Sequence, residues 1–90
     1  MQYQQSERNY LLTKVTLPVT TPINELRHAV WGGRYQEKEW LRTQIVTAGG
    51  TPNGNYRADL WKQLLTALGL AVSNSIDQNK KTFFESEVNS

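Results

Sequence analysis

The residue types that could perform catalysis are few in this chain, and their spacing does not form a catalytic site. His28 is the only histidine, so a histidine-based metal site would need carboxylates at ligand spacing, and none have it. Glu37 and Glu39 are close in sequence, but positions two apart on a helix differ by about 200°, so their carboxylates would face in nearly opposite directions. No serine lies in a G-x-S-x-G elbow. We therefore expect no enzymatic activity, no catalytic residue and no metal ligand.

The glycine-rich segments do not form a nucleotide-binding loop. Gly32-Gly33 and Gly49-Gly50 follow predicted helices, whereas a phosphate-binding loop must precede a helix so that its amides point at the anion. Gly54 does precede a helix, yet the Lys-Ser/Thr pair of a nucleotide loop is missing after it. The sequence therefore predicts no cofactor.

Composition and charge indicate one folded domain with a mildly basic surface. The chain has 90 residues, of which 38% are hydrophobic and 20% are charged, as is typical of a globular domain. A net charge of +2 is compatible with phosphate binding. The absence of cysteine excludes disulfides and thiolate metal sites, and no apolar run approaches the roughly 18 residues of a membrane span. Because residues 1–9 lack a signal-peptide pattern, we expect a cytoplasmic protein without a membrane partner.

The first half of the chain predicts an arm, a strand and two helices. Residues 1–9 are polar, which predicts a flexible N-terminal arm. Alternation of side-chain character predicts a strand over residues 10–19. Thr21-Pro22 is a helix-start signal, and Gly32-Gly33 is a stop signal, which together predict a first helix. A second helix is predicted from Tyr35 to Ala48.

The second half predicts one amphipathic helix followed by a hairpin. From Tyr56 to Leu68, leucines and a tryptophan form a wide apolar stripe, and Gly69 is a natural stop. Residues 70–84 alternate weakly around a polar turn, which predicts the two strands of a β-hairpin. The predicted fold class is therefore α+β: a small three-helix domain over residues 10–85 with an N-terminal strand and a C-terminal β-hairpin. Residues 86–90 are predicted to be a frayed tail.

In the order of these elements, the segment from Tyr10 to Glu85 resembles a winged helix-turn-helix DNA-binding domain. In that family, the third helix enters the major groove and the hairpin wing touches the backbone or the minor groove. The resemblance implies that this protein contacts duplex DNA and serves as a transcriptional or mobile-element regulator. Because one small domain would bind weakly, we expect useful affinity to require a homodimer.

The resemblance implies three groups of nucleic-acid-binding residues. The third helix would contribute Asn55, Tyr56, Arg57, Lys62, Gln63 and Thr66. The wing would contribute Lys80 and Lys81, beside Asn79. The second helix would contribute contacts to the DNA backbone from Arg34, Lys38 and Arg42. Glutamine can bind adenine and lysine can bind guanine or phosphate, whereas the charge of Asp59 on the third helix opposes phosphate.

A protein-interaction module, such as an inhibitor or an assembly factor, is the alternative function, because one fold can serve several functions. Trp31, Tyr35 and Trp40 lie close in sequence around the predicted helix ends. An exposed aromatic patch formed by these three residues would suit a protein partner. Burial of both tryptophans would remove the main support for this alternative.

Overall fold

A computed structural model describes residues 3–89 of the chain as a bundle of five α-helices. The helices are α1 (Tyr3–Leu12), α2 (Ile23–Trp31), α3 (Arg34–Thr47), α4 (Arg57–Leu68) and α5 (Ile76–Asn89). α3 packs against α2 and α4, and α5 packs against both α4 and α1. Within the described residues there is no β-strand, so the predicted α+β class is wrong.

The three helices predicted in the middle of the chain are confirmed, with ends that differ by one or two residues. α2 ends at Gly32, which has a left-handed backbone (φ 57°) and donates its amide to the His28 carbonyl. α4 ends in the same way at Gly69, which has φ 74°. Because an L side chain is strained in this region, glycine is the residue that stops a helix here.

The N-terminal segment is helical where the sequence predicted an arm and a strand. α1 takes up residues 3–9 and the first part of the predicted strand, and it buries Ser6, Glu7 and Leu11. The later alternating residues lie in the loop to α2, where Val19 is 70% exposed. The prediction failed because a charged residue, Glu7, occupies the centre of the buried face of α1. The apolar residues alone therefore do not show the spacing of a helix.

The C-terminal segment forms α5, so the predicted β-hairpin and its wing are wrong. Ser75 caps the helix, because its Oγ accepts a hydrogen bond from the Gln78 amide at 3.3 Å, while its own amide donates to Ser73 Oγ at 3.1 Å. Phe83 and Phe84 are buried in the core, while the polar residues one turn earlier, Asn79 and Lys80, are buried as well. Polar residues at core positions masked the helical pattern. α5 continues to Asn89, through most of the predicted frayed tail.

One continuous aromatic core joins the five helices, and every helix contributes at least one ring. Its members are Tyr3, Tyr10, Trp31, Trp40, Trp61, Phe83 and Phe84. Centroids of neighbouring rings lie between 5.0 and 6.5 Å apart, the range in which edge-to-face and tilted pairs are favourable. Buried leucines surround these rings. This core fixes the relative positions of α3, α4 and α5, on which the candidate site depends.

Candidate anion-binding site

Near its N-terminus α3 carries a buried carboxylate that accepts hydrogen bonds from two other helices. Oε2 of Glu37 accepts from Arg57 Nη1 at 2.8 Å and from Trp61 Nε1 at 3.3 Å, both on α4. Oε1 of Glu37 accepts from Lys80 Nζ on α5 at 3.3 Å. The same ammonium lies 5.9 Å from the centroid of the Trp61 ring, within the range of a cation–π contact. Glu37 therefore holds Arg57 and Lys80 in fixed positions.

An open cavity of about 260 Å³ lies beside this carboxylate. Its lining consists of Arg27, His28, Trp31, Gly33, Arg34, Glu37, Arg57 and Lys80. Four of these side chains are cationic and one is a carboxylate. Arg57 and Lys80 share the single charge of Glu37, and Arg34 forms no ion pair within residues 3–89. The cavity wall therefore carries an excess of positive charge.

A second buried ion pair orients Arg27 in this wall. Its Nε and Nη2 donate to the two carboxylate oxygens of Glu7 at 2.9 and 2.6 Å, and the Glu7 side chain is fully buried. These hydrogen bonds raise the pKa of the Arg27 guanidinium above its ordinary value. Burial, with the nearby charge of Glu7, also raises the pKa of Tyr3. Glu7 thus ties α1 to α2 and fixes one cationic side of the cavity.

The N-terminus of α3 faces the same region. Gly33 precedes the helix with φ 96°, and no side chain of the described residues caps it. Free amides at a helix start carry partial positive charge, which favours a nearby anion. Trp31, which also lines the cavity, has a buried indole Nε1–H without a hydrogen-bond partner between residues 3 and 89.

The positive charge continues from the cavity along α3. Arg34, Lys38 and Arg42 are four residues apart, so they follow one flank of the helix. Nη1 of Arg42 donates to the Gly54 carbonyl at 2.8 Å, which holds the loop before α4 against this flank. We call Arg34, Lys38, Arg42 and Arg57 the basic surface. The structure thus brings together six predicted residues: Arg34, Lys38, Arg42, Asn55, Tyr56 and Arg57.

The other predicted nucleic-acid-binding residues of α4 lie apart from the basic surface. Gln63 Nε2 donates to the Asn53 carbonyl at 2.6 Å, and its Oε1 accepts from the Asn53 amide at 2.9 Å. Thr66 Oγ1 donates to the Lys62 carbonyl at 2.9 Å. Lys62, Gln63 and Thr66 line a separate cavity with Ile45. The Gln63 amide, expected to contact a base, is therefore used to hold the α3–α4 loop.

The two lysines assigned to the wing lie on α5. Lys80 is buried against Glu37, and Lys81 is exposed, with its Nζ 4.0 Å from Glu85 Oε1 one turn later. Because residues 76–89 are helical, these lysines cannot form the tip of a hairpin.

The predicted aromatic patch is mostly inside the protein. Trp31 is 4% exposed and packs against Tyr10 and Trp40. Trp40 is half-buried, and its indole N–H donates to the Tyr10 hydroxyl. Tyr35 alone of the three predicted patch residues is largely exposed, at 71%.

The buried carboxylate was missed from sequence, although a signal for it was present. Glu37, Leu41 and Ile45 are four residues apart and all are buried, so an acid stands on the core stripe of α3. Such a position indicates a paired charge, because an isolated buried carboxylate is very unfavourable. No local pattern identifies Lys80, which is distant in sequence, as its partner.

Comparisons with known protein families, with curated proteins and with solved structures found no match. No helix in the described part of the chain has the length and apolar character to cross a membrane. Residues 3–89 contain no group of three or more His, Cys, Asp or Glu side chains that could hold a metal ion. The basic surface and the cavity are therefore the features from which a function can be inferred.

Proposed function

We propose that the protein binds nucleic acid by its phosphate groups, through the basic surface and the adjoining cavity. The observation that carries this proposal is the excess positive charge of the cavity wall, where Arg34 forms no ion pair within residues 3–89 and Arg57 and Lys80 share the single charge of Glu37. Cationic side chains on a concave surface attract the phosphodiester backbone, and binding releases the counterions of that backbone. The uncapped N-terminus of α3 adds a favourable partial charge.

The charges of the basic surface remain available to a ligand. Within residues 3–89, Arg34, Lys38 and Arg42 form no ion pair with a carboxylate. Arg42 donates only one of its N–H groups to the Gly54 carbonyl, and this bond leaves its charge intact. Arg57 shares the charge of Glu37 with Lys80. These cations support about four phosphate contacts, which position a nucleic acid without reading its sequence.

The more specific predictions made from the sequence are supported to different degrees. Duplex DNA was predicted from a groove-reading helix and a wing, and the wing is wrong, so the support for DNA now comes from phosphate contacts alone. A regulatory role in transcription or in a mobile element, a cytoplasmic location and a homodimer stay predictions. The alternative, a protein-interaction module, also stays a prediction, and its support is reduced because Trp31 is buried.

Fluorescence anisotropy of labelled DNA at low salt tests the proposal. We expect saturable binding that weakens as salt rises, with a slope of log K against log salt of about −3 to −4 for four phosphate contacts. Arg34→Ala and Lys38→Ala should each weaken binding and reduce this slope by about 1. Lys62→Ala is the matched control, because it removes the same charge from another face and should leave the slope unchanged.

The absence of any anisotropy change at tens of micromolar folded protein would overturn the proposal. If Lys62→Ala weakened binding as much as Arg34→Ala, the basic surface would not be the binding site.

A further inference from the structure

Two tyrosines beside the basic surface are almost fully exposed. Tyr35 is 71% exposed and Tyr56 is 75% exposed. Tyr35 directly follows Arg34, and Tyr56 directly precedes Arg57, and both arginines line the cavity. Each exposed tyrosine is therefore the sequence neighbour of an arginine that lines the cavity.

The placement of these two rings is unlike that of every other aromatic residue in the chain. The sequence contains three tryptophans, four tyrosines and two phenylalanines, and all of them except Tyr35 and Tyr56 belong to the aromatic core. Neither exposed ring contacts another ring, and neither hydroxyl forms a hydrogen bond, in the part of the chain that the structure describes. The fold therefore leaves both rings outside the aromatic core.

Helix geometry places the exposed rings along the strip of cations. Tyr35, Lys38 and Arg42 are three and four residues apart and share one flank of α3. Tyr56 lies just before α4 with an extended backbone (φ −91°, ψ 129°), two residues after the Gly54 carbonyl that accepts from Arg42. A chain of phosphates that follows the basic surface would pass both rings.

We propose that Tyr35 and Tyr56 stack on unpaired bases, so that the protein prefers single-stranded nucleic acid to a duplex. This inference rests on the proposed function and names the kind of nucleic acid that the same surface takes. A tyrosine ring can stack on the face of any base, but the bases of a duplex already stack on each other. Each stacked base contributes about 5- to 150-fold in affinity.

The charge of the surface favours a ligand that is held by more than electrostatics. Glu39 on α3 and Asp59 on α4 are exposed acids on the two helices that carry the basic surface. They lower the net positive charge of these two helices, and a duplex offers phosphates but no free base faces. A single strand gains from both the cations and the rings.

The experiment compares a labelled single strand with the corresponding duplex by anisotropy at one low salt concentration. We expect the native protein to bind the single strand at least about fivefold more tightly. Tyr35→Ala and Tyr56→Ala should each weaken single-strand binding by about fivefold or more and leave duplex binding unchanged. Tyr→Phe at either position keeps the ring and should keep the affinity. Val19→Ala is the matched control, because Val19 is 70% exposed, is not aromatic, and lies in the loop between α1 and α2, outside the cavity lining.

The outcomes separate this inference from the proposed function. If both ligands bind equally and the alanine variants match the native protein, stacking is excluded and phosphate binding stands. If the native protein binds neither ligand, both proposals fail. Because Tyr35 and Tyr56 are exposed, circular dichroism should show that their variants keep the fold, so that a loss of binding reports on the rings.

Discussion

Replacing Glu37 by alanine should destabilise the protein by about 3–5 kcal/mol, because it leaves a buried cation without its counter-ion. Lys80 is 7% exposed, and its ammonium lies 3.3 Å from Glu37 Oε1. The Trp61 indole also loses its acceptor, which costs about 1–3 kcal/mol when a buried donor is left unpaired. Arg57 adds little, because 27% of its side chain is exposed and water can replace the carboxylate.

This loss is large for a domain of 90 residues. Domains of this kind have a total free energy of unfolding of about 5–15 kcal/mol. Each kcal/mol lowers the melting temperature by about 4–8 °C, so the variant should melt at least about 12 °C below the native protein. Urea unfolding followed by circular dichroism at 25 °C and neutral pH measures the free energy directly.

Two further variants isolate the charge effect. Glu39→Ala makes the same substitution at an exposed position of α3 and should change the free energy of unfolding by no more than about 0.5 kcal/mol. Glu37→Ala combined with Lys80→Met removes both charges and should recover most of the loss. A loss below about 1 kcal/mol for Glu37→Ala, or a double variant no more stable than the single one, would show that Glu37 does not stabilise the fold by pairing with Lys80.

Two other predictions concern Tyr10 and Asn79. Burial raises the pKa of Tyr10 to about 12, above the value of about 10 in an unfolded chain; the folded state keeps the proton longer, so stability should fall as the pH rises from about 10 to 12. Tyr10→Phe should flatten this decline in urea midpoints, and a decline parallel to that of the native protein would contradict the assignment. Asn79 is buried and exchanges two hydrogen bonds with the Ser73 backbone at 2.8 and 2.9 Å. Asn79→Ala should therefore lower the free energy of unfolding by about 1–3 kcal/mol in the same assay. Asn74→Ala, at an exposed position, should change it very little. Equal losses for the two variants would show that the two Asn79 hydrogen bonds do not stabilise the fold.

Local signals made the central helices predictable. α2, α3 and α4 have apolar residues at helical spacing, and Gly32 and Gly69 stop two of them through backbone conformations that glycine alone adopts easily. α1 and α5 were not predictable in this way, because Glu7, Asn79 and Lys80 occupy buried positions. The partners of Glu7 and Lys80 are Arg27 and Glu37 on other helices, too far along the chain for a window of sequence to contain both members of a pair. Asn79 bonds the backbone of Ser73, six residues earlier, but residue types alone do not reveal that bond.

The same distinction holds for the candidate site. The resemblance to a winged helix-turn-helix domain implied backbone contacts from Arg34, Lys38 and Arg42, and the structure places these three residues along one flank of α3. The roles of Glu37 and Lys80 could not be found without the fold, since their ion pair connects α3 to α5. The role proposed for Tyr35 also needed the fold. Its exposure indicates a binding role only because the structure shows that most other aromatic rings of the chain are in the core.

The packing of α1 against α5 has a consequence for how this chain folds during its synthesis. Tyr3 and Tyr10 on α1 pack on Phe84 of α5, so α1 lacks these contacts until the ribosome has made α5. Contacts between such distant residues form late, because they require closure of the longest loop in the chain. Until α5 emerges, the faces of Tyr3 and Tyr10 that pack on Phe84 stay open to water and to chaperones.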